Sequence, residues 1–381
     1  MKDAAMNSEE FLKQHSLNPD LINPDIISDL MVESIKAGLA STPKDLLMLP
    51  TYLRFTGSVP KKTAIVIDAG GTNFRCGLAT FDDNGCAVSD VTVCPMPGTQ
   101  GPVTWDQFIA FVAEKILPLT DKSDLIGFCF SFSANVTPEI DALVETMDKE
   151  VIITGCEGKP IAGSLLAELE SKGIKGKRCI ILNDTVAALL GGAASLKTEK
   201  YSDFIGLICG TGVNTCSIHD GMLYNQEAGL FSQIPSGDFD IMIDKASAQP
   251  GEKLLEKKCS GAYVGEIAKL ALNLEGEVNG ATVSKLCDCG NDFEKAVCKA
   301  IIKRSARCVA ANIIAVMKYN DTGKDKPMCV CAEGSLISKN PYYLPYLEET
   351  LKQYAPDRKV EIHIGHDTTL PGSGAAVLLN T

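Results

Sequence analysis

The sequence predicts a chain of two α/β domains of similar build. Three observations carry that reading: a length of 381 residues, an internal echo of strand–turn–strand units, and apolar strands interspersed with amphipathic helical stretches. A chain this long exceeds what one hydrophobic core usually organises, so two domains are the default. The echo is the most informative of the three. From Ala64 the chain runs AIVID into the turn Ala69-Gly70-Gly71-Thr72-Asn73, then RCGLATF and the hairpin signal Asp82-Asp83-Asn84-Gly85. From Phe204 it repeats the scheme as FIGLIC, Gly210-Thr211-Gly212-Val213-Asn214, TCSIH and the turn Asp220-Gly221. Hairpins resemble one another, but the shared G-T-x-N chemistry goes beyond hairpin grammar.

The remaining elements fit the same class. WDQFIAFVAEKIL, Trp105 to Leu117, gathers its apolar residues on one helical face. LIGFCFSF and RCIILN read as buried strands because their apolar runs are unbroken. Asn183-Asp184-Thr185 then opens VAALLGGAA, a helix start capped by a short polar residue. Residues 251–318 read as mostly helical, with AIIKRSARCVAANIIAVMK the clearest amphipathic stretch. EIHIGH reads as a strand and GSGAAVLL as a helix start, while the first sixty residues hold helices near Glu9–Gln14 and Ile26–Leu39.

Composition narrows the function classes. Apolar residues make up 45% and charged residues 22%, as in ordinary soluble globular proteins. A net charge of -12 argues against nucleic acid, whose backbone demands clustered Lys and Arg. It leaves nucleotides open, because backbone amides and a magnesium ion can hold phosphate in an acidic protein. The fifteen cysteines are scattered through apolar runs, where Cys behaves as a small hydrophobe, and a reducing compartment fits them. Cys287-Asp288-Cys289 is the nearest approach to zinc spacing and is expected to be a solvent-side turn carrying two thiols. The N-terminus lacks an apolar leader run and no stretch is suited to span a bilayer, so a cytoplasmic protein without membrane partners is expected.

Asp68 ends a strand, and ligands of α/β sheets gather at the carboxyl ends of strands. Gly70 and Gly71 admit a phosphate to the backbone without Cβ interference, Thr72 and Asn73 add donors, and Arg75 adds a cation. Gly210-Thr211-Gly212 repeats the offer. Two such turns favour an actin-like ATPase cleft. Neither is a Walker loop, which needs GK[ST], nor a dinucleotide fingerprint, which needs GxGxxG opening a helix. Phosphoryl transfer to a hydroxyl also calls for a base, typically aspartate, and Asp184 is the candidate beside Asn183. Local sequence alone favours a plainer role for Asp184 as a helix N-cap.

Read in order, IDAGGTNFR, GFCFSF, LNDT, GTGVN, Glu333-Gly334-Ser335 and PGSGAAVL resemble the hexokinase family from about residue 60 to the end. The resemblance implies a compact, bacterial-type sugar kinase that uses ATP and magnesium to phosphorylate a hexose, glucose first, at its 6-hydroxyl. It assigns Asp184 as general base. Asn183, Asn214, Glu227 and Glu256 would bond the other hydroxyls, with Ser131 and Lys149 contacting the sugar from a small domain. Without the family, Glu227 and Glu256 read as surface charge. Asp68 would help hold magnesium through water. Gly70, Gly71, Thr72, Asn73, Arg75, Gly210 and Thr211 would hold phosphates, and Gly334, Ser335 and Gly372 would lie near adenosine.

The implied architecture is the two-domain actin-like, RNase H-like ATPase fold with a cleft. Its small domain would span 61–184 plus 372–381 and its large domain 1–60 plus 185–371. Sugar binding would draw the domains together and exclude water from the terminal phosphate. There are departures from the family pattern. Its Trp-Thr-Lys-Gly-Phe segment is here Met147-Asp148-Lys149-Glu150-Val151, which puts Asp148 at the threonine contact; FSFP becomes FSFS at Ser133, and DGS becomes Glu333-Gly334-Ser335. A carboxylate accepts from a sugar hydroxyl but cannot donate. The alternatives are therefore a kinase for mannose, fructose or an N-acetylhexosamine, a sugar-binding sensor with weak turnover, and an actin- or chaperone-like ATPase.

Overall fold

The computed structural model describes residues 7–147 and 151–381. Helices α1 (Ser8–Gln14) and α2 (Pro24–Leu39) precede strand β1 (Leu49–Arg54). Strands β2 (Thr63–Ala69), β3 (Asn73–Asp82) and β4 (Gly85–Pro95) follow, then β5 (Val103–Thr104), α3 (Trp105–Ile116) and β6 (Leu125–Phe130). Next come β7 (Ser133–Val136), β8 (Ala142–Thr146), β9 (Ile153–Thr154), α4 (Ile161–Ser171), β10 (Arg178–Leu182) and α5 (Asp184–Ala194). Strands β11 (Asp203–Cys209), β12 (Val213–His219) and β13 (Met222–Asn225) lead into a helical stretch. It contains α6 (Asp238–Ala246), α7 (Glu256–Cys259), α8 (Gly261–Leu272), α9 (Gly280–Cys289) and α10 (Asp292–Asn320). The chain closes with β14 (Met328–Glu333), α11 (Ser335–Lys339), α12 (Tyr343–Tyr354), β15 (Val360–Ile364) and α13 (Thr369–Leu379).

The chain forms two compact units. One comprises Met1–Leu49, Leu207–Thr215 and Gln226–Ile364; the other comprises Pro50–Gly206, Cys216–Asn225 and Gly365–Thr381. The second unit therefore runs past the expected limit at Asp184, because α5 packs against α13.

The second unit is built on a five-stranded sheet of order β10-β6-β2-β3-β4. Strands β2, β6 and β10 run parallel, and β3 and β4 return antiparallel. One face buries Ile65, Ile67, Phe74, Phe128 and Ile181 in a core shared with Trp105, Phe108 and Val112 of α3. Helix α3 starts where Thr104 and Gln107 form a reciprocal capping box. The expected hairpin at residues 82–85 closes with Asp82 opposite Gly85. Its counterpart at Asp220-Gly221 uses positive φ at both residues (50° and 76°), the geometry that suits the twist of a two-residue hairpin.

The other sheet face is met by α13 at unusually short range. A Cβ built on Gly127 of β6 would lie 1.9 Å from the Ser373 carbonyl oxygen, and one on Gly372 would lie 2.0 Å from that of Ala187. A Cβ on Gly191 of α5 would come within 2.2 Å of the Thr368 oxygen. Backbone thus meets backbone, and only glycine permits it.

In the first unit, α10 is buried on nearly all sides, which is why its sequence is apolar beyond a single stripe. It opens on a capping box formed by Asn291 and Glu294 and ends at Asp321 in the left-handed conformation. Helix α2 begins at Pro24, two residues before the expected Ile26, because Asn23 caps it and proline suits the first helical position. Cys287 and Cys289, expected in a turn, instead form the last turn of α9. A two-residue offset on a helix sends the first thiol inward and leaves the second exposed. All fifteen cysteines are free thiols. Burial pushes the Cys209 thiol up to about 12, so it behaves as an inert hydrophobe.

Replacing Gly372 by Ala should cost about 1–3 kcal/mol through overpacking at the α5–α13 crossing. Urea unfolding would register this as a lower midpoint at unchanged slope; an unmoved midpoint would refute the packing role.

Candidate active site

Three parallel strands of the second unit end side by side. Leu182 of β10 and Asp68 of β2 both pair with Cys129 of β6, so these residues form one row across the sheet. The chain emerging from that row carries Asn183-Asp184, Ser131 and the Gly70-Gly71 turn respectively. The carboxyl edge of a parallel sheet is where α/β proteins place ligands, and here it gathers candidates from three separate segments.

Each is fixed locally. The turn after β2 closes with the Gly70 N–H donating to the Asn73 carbonyl at 3.3 Å, and the Ser131 N–H donates to the Ala69 carbonyl at 3.2 Å. Thr72 and Asn73 are exposed beyond it. Asp68 is 7% exposed. Its Oδ2 accepts from Arg75 Nε at 2.9 Å and Nη2 at 2.7 Å, while Arg75 Nη1 donates to Asp367. Burial pulls the Arg75 guanidinium down, but Asp68 and Asp367 outweigh it and hold its pKa above the ordinary value. Arg75, expected to face phosphate, is thus engaged by two carboxylates. Asp367 is the residue that sequence reasoning missed.

At the β10 end the cap is Asn183, not Asp184. The Asn183 Oδ1 accepts from the Val186 N–H at 3.0 Å, and Asp184 is the first helical residue of α5. The plainer reading of Asp184 is therefore removed. Its carboxylate sits at the positive end of the helix dipole, accepting from Thr185 Oγ1 at 3.2 Å. Asp148 and Lys149 lie outside the described residues. Gly372, expected near adenosine, is buried against Ala187 within the second unit, which by itself accounts for a glycine there.

The first unit brings together the other candidates. Glycines 210, 261 and 334 meet at close range: a Cβ on Gly334 would lie 2.4 Å from Cys209, and one on Gly261 would lie 2.6 Å from the Gly210 oxygen. Gly334 has φ +125°, open to glycine and costly for other residues. The N–H groups of Gly261 and Ala262 donate to the carbonyls of Gly210 and Thr211 at 2.7 and 3.2 Å, which fixes the second turn. Thr211 and Ser335 remain exposed.

Beside that turn, Asn214 Oδ1 accepts from the Ala228 N–H at 3.1 Å and Glu256 Oε2 accepts from the Val213 N–H at 3.2 Å. Glu227 immediately precedes Ala228 and is held in the left-handed conformation (φ 52°, ψ 48°). Such strain in a non-glycine residue persists where the surroundings enforce it, commonly at functional sites. Asn214, Glu227 and Glu256, half-buried and distant in sequence, form one polar cluster able to accept from and donate to a polyol.

Among the described residues no helix is long and apolar enough to cross a membrane. Two family models described as hexokinase match the chain, one over residues 7–194 and one over 204–275 and 281–381. "Hexokinase-4, chloroplastic" of Oryza sativa subsp. japonica is 26% identical over 437 aligned residues, covering 92% of this chain and 84% of that protein. Hexokinase-2 of Homo sapiens is 26% identical over 92% of this chain, but this covers only 46% of the human protein. Hexokinase from Schistosoma mansoni, complexed with glucose, superposes with a TM-score of 0.77 at 20% identity, covering 97% of this chain and 98% of that one. A further hexokinase structure reaches 0.83 at 19% identity, covering 97% and 99%. The fold is that of the two-domain α/β sugar kinases.

The capping assignment gives a contrast between neighbours. Asn183→Ala should cost about 1 kcal/mol, whereas Asp184→Asn, which keeps shape, should cost no more than about 0.5 kcal/mol. Denaturant melts of both variants check it, and the reverse order would overturn the assignment.

Proposed function

Because this chain belongs to the hexokinase family of ATP-dependent hexose kinases, we propose that it transfers the γ-phosphate of ATP to the 6-hydroxyl of glucose, with Asp184 as general base. The observation that carries the proposal is the row of strand ends that brings Asp184, Ser131 and Asp68 to one sheet edge. Glucose is the hexose in complex with the Schistosoma mansoni enzyme, whose fold this chain shares.

The chemistry follows from the residues. Phosphoryl transfer leaves the protein to position the acceptor, take its proton and spread the developing charge. Asp184, freed from capping and set at the start of α5, receives the hydroxyl proton. Asn183 spends its oxygen on Val186, leaving its NH2 group to donate to a neighbouring hydroxyl. In this reading Asn214, Glu227 and Glu256 bond sugar hydroxyls, and the Gly70-Gly71 and Gly210-Thr211 turns hold phosphate. Asp68 is the carboxylate that would hold magnesium through water, as in sites where the ion is bound by one or two carboxylates and phosphate, and Arg75 fixes it through two hydrogen bonds to Oδ2. When bound there, magnesium supplies charge neutralisation on the phosphate oxygens. Fifteen free thiols suit a reducing compartment, for which we read the cytoplasm.

A second reading has one observation in its favour. Asp148 stands where the family places a threonine, and a group that only accepts selects for a different hydroxyl pattern. That reading keeps the kinase chemistry and changes the hexose to mannose, fructose or an N-acetylhexosamine.

Asp184→Ala should lower kcat by about 10²–10⁴-fold, as expected for a lost general base. A coupled ADP-release assay over a panel of these sugars, with ATP and magnesium, measures both the base and the hexose. Near-wild-type turnover in the variant would sink the base assignment, and preference for another sugar would replace glucose.

A further inference from the structure

Helix α7 has four residues, Glu256–Cys259, and its first residue is the Glu256 proposed to contact sugar. One turn of helix has no stability of its own, so something outside it must fix its rotation. The next residue, Lys257, is 3% exposed, unusual for a lysine. An ammonium group has three N–H donors, and here each has an acceptor: Asp244 Oδ1 at 2.7 Å, Ser247 Oγ at 2.9 Å and the Gln249 carbonyl at 2.7 Å.

Asp244 closes the arrangement from the other side. Both its oxygens accept from the Gly251 N–H at 3.0 Å, and the hydrogen bond from Lys257, then that from Gly251, keep its carboxyl below the usual range. The segment between α6 and α7 is thus tied at both ends to one ion pair, between buried Lys257 and half-buried Asp244. Removing Asp244 would leave the buried Lys257 ammonium without its charge partner, which makes the tie costly to break. From this fixed turn, the Glu256 carboxylate reaches the Val213 N–H at 3.2 Å, beside Gly212.

We propose that Lys257 is a positioning residue for sugar binding, whose ion pair with Asp244 and bonds to Ser247 and Gln249 orient Glu256. The inference rests on the reading of Glu256 as a sugar contact and goes beyond it by naming what holds that contact in place. The Lys257 ammonium donates to Asp244, Ser247 and Gln249, and the residue acts through its neighbour.

The test uses the full chain and four variants: Glu256→Ala, Lys257→Gln, their double, and Ser247→Ala. KM for glucose is measured at saturating ATP, and KM for ATP at saturating glucose. Lys257→Gln should raise the glucose KM about tenfold while leaving the ATP KM unchanged, and in the double variant the two effects should not add. A merely structural loss would lower the active fraction without splitting the two constants. Ser247→Ala, which removes one acceptor, should raise the glucose KM about two- to threefold, and it decides the matter where Lys257→Gln does not fold. An unchanged glucose KM in the decisive variant, or additive effects in the double, overturns the positioning role while leaving Glu256 as a sugar contact. An unchanged glucose KM in Glu256→Ala instead brings down the reading of Glu256 itself.

Discussion

The contact on which the second unit depends is the backbone-to-backbone approach of α13 to the sheet and to α5. Glycines at 127, 191 and 372 allow main-chain atoms to meet where any Cβ would collide. That contact sets where α5 lies, and α5 begins with Asp184. Parallel pairing of β10, β6 and β2 then fixes the depth at which the strands end. Helix placement and strand register together locate the carboxylate proposed as base. Neither alone would do so, because a shift of one residue in a strand sends its side chains to the opposite face.

The first unit solves a similar problem with different means. Gly210, Gly261 and Gly334 let a turn, a helix start and a strand end come together, and hydrogen bonds from α8 lock the turn. Around it the polar side chains are held by backbone donors: Asn214 by Ala228, Glu256 by Val213. A group that already accepts from a fixed N–H loses little freedom when a ligand arrives. Preorganisation of this kind reduces the entropic cost of binding.

Much of this was legible in the sequence where the physics is local. The two glycine turns, the hairpins at Gly85 and Gly221, and helices α2, α3 and α10 follow from turn chemistry and periodicity within a few residues. What escaped depends on distance. Arg75 and Asp367 are brought together only by the fold, and no spacing signals the pair. Gly372 opens a run that reads as a helix start and that the resemblance puts near adenosine, yet its surroundings are another helix. Asn183 and Asp184 are both good caps, and only the backbone decides which one takes the task. Nothing in LEKK marks Lys257, because burial of its ammonium depends on Asp244, Ser247 and Gln249 folding back over it.

Charge gives the last constraint. At the edge of the second unit Asp68 and Asp367 both bond the guanidinium of Arg75. An anionic nucleotide therefore cannot rely on that side chain alone. On the proposed function, phosphate would meet the glycine turn at Gly71 and at the exposed Thr72 and Asn73, which carry no net charge. Such a turn tolerates the acidic composition of the chain, with its net charge of -12, because its attraction is directional and short-ranged. On the proposed function, the remaining repulsion would be offset by a cation that arrives with the nucleotide, a pair that an edge of carboxylates suits better than bare phosphate. The acidity that argued against nucleic acid is, on this account, part of how the edge discriminates among anions.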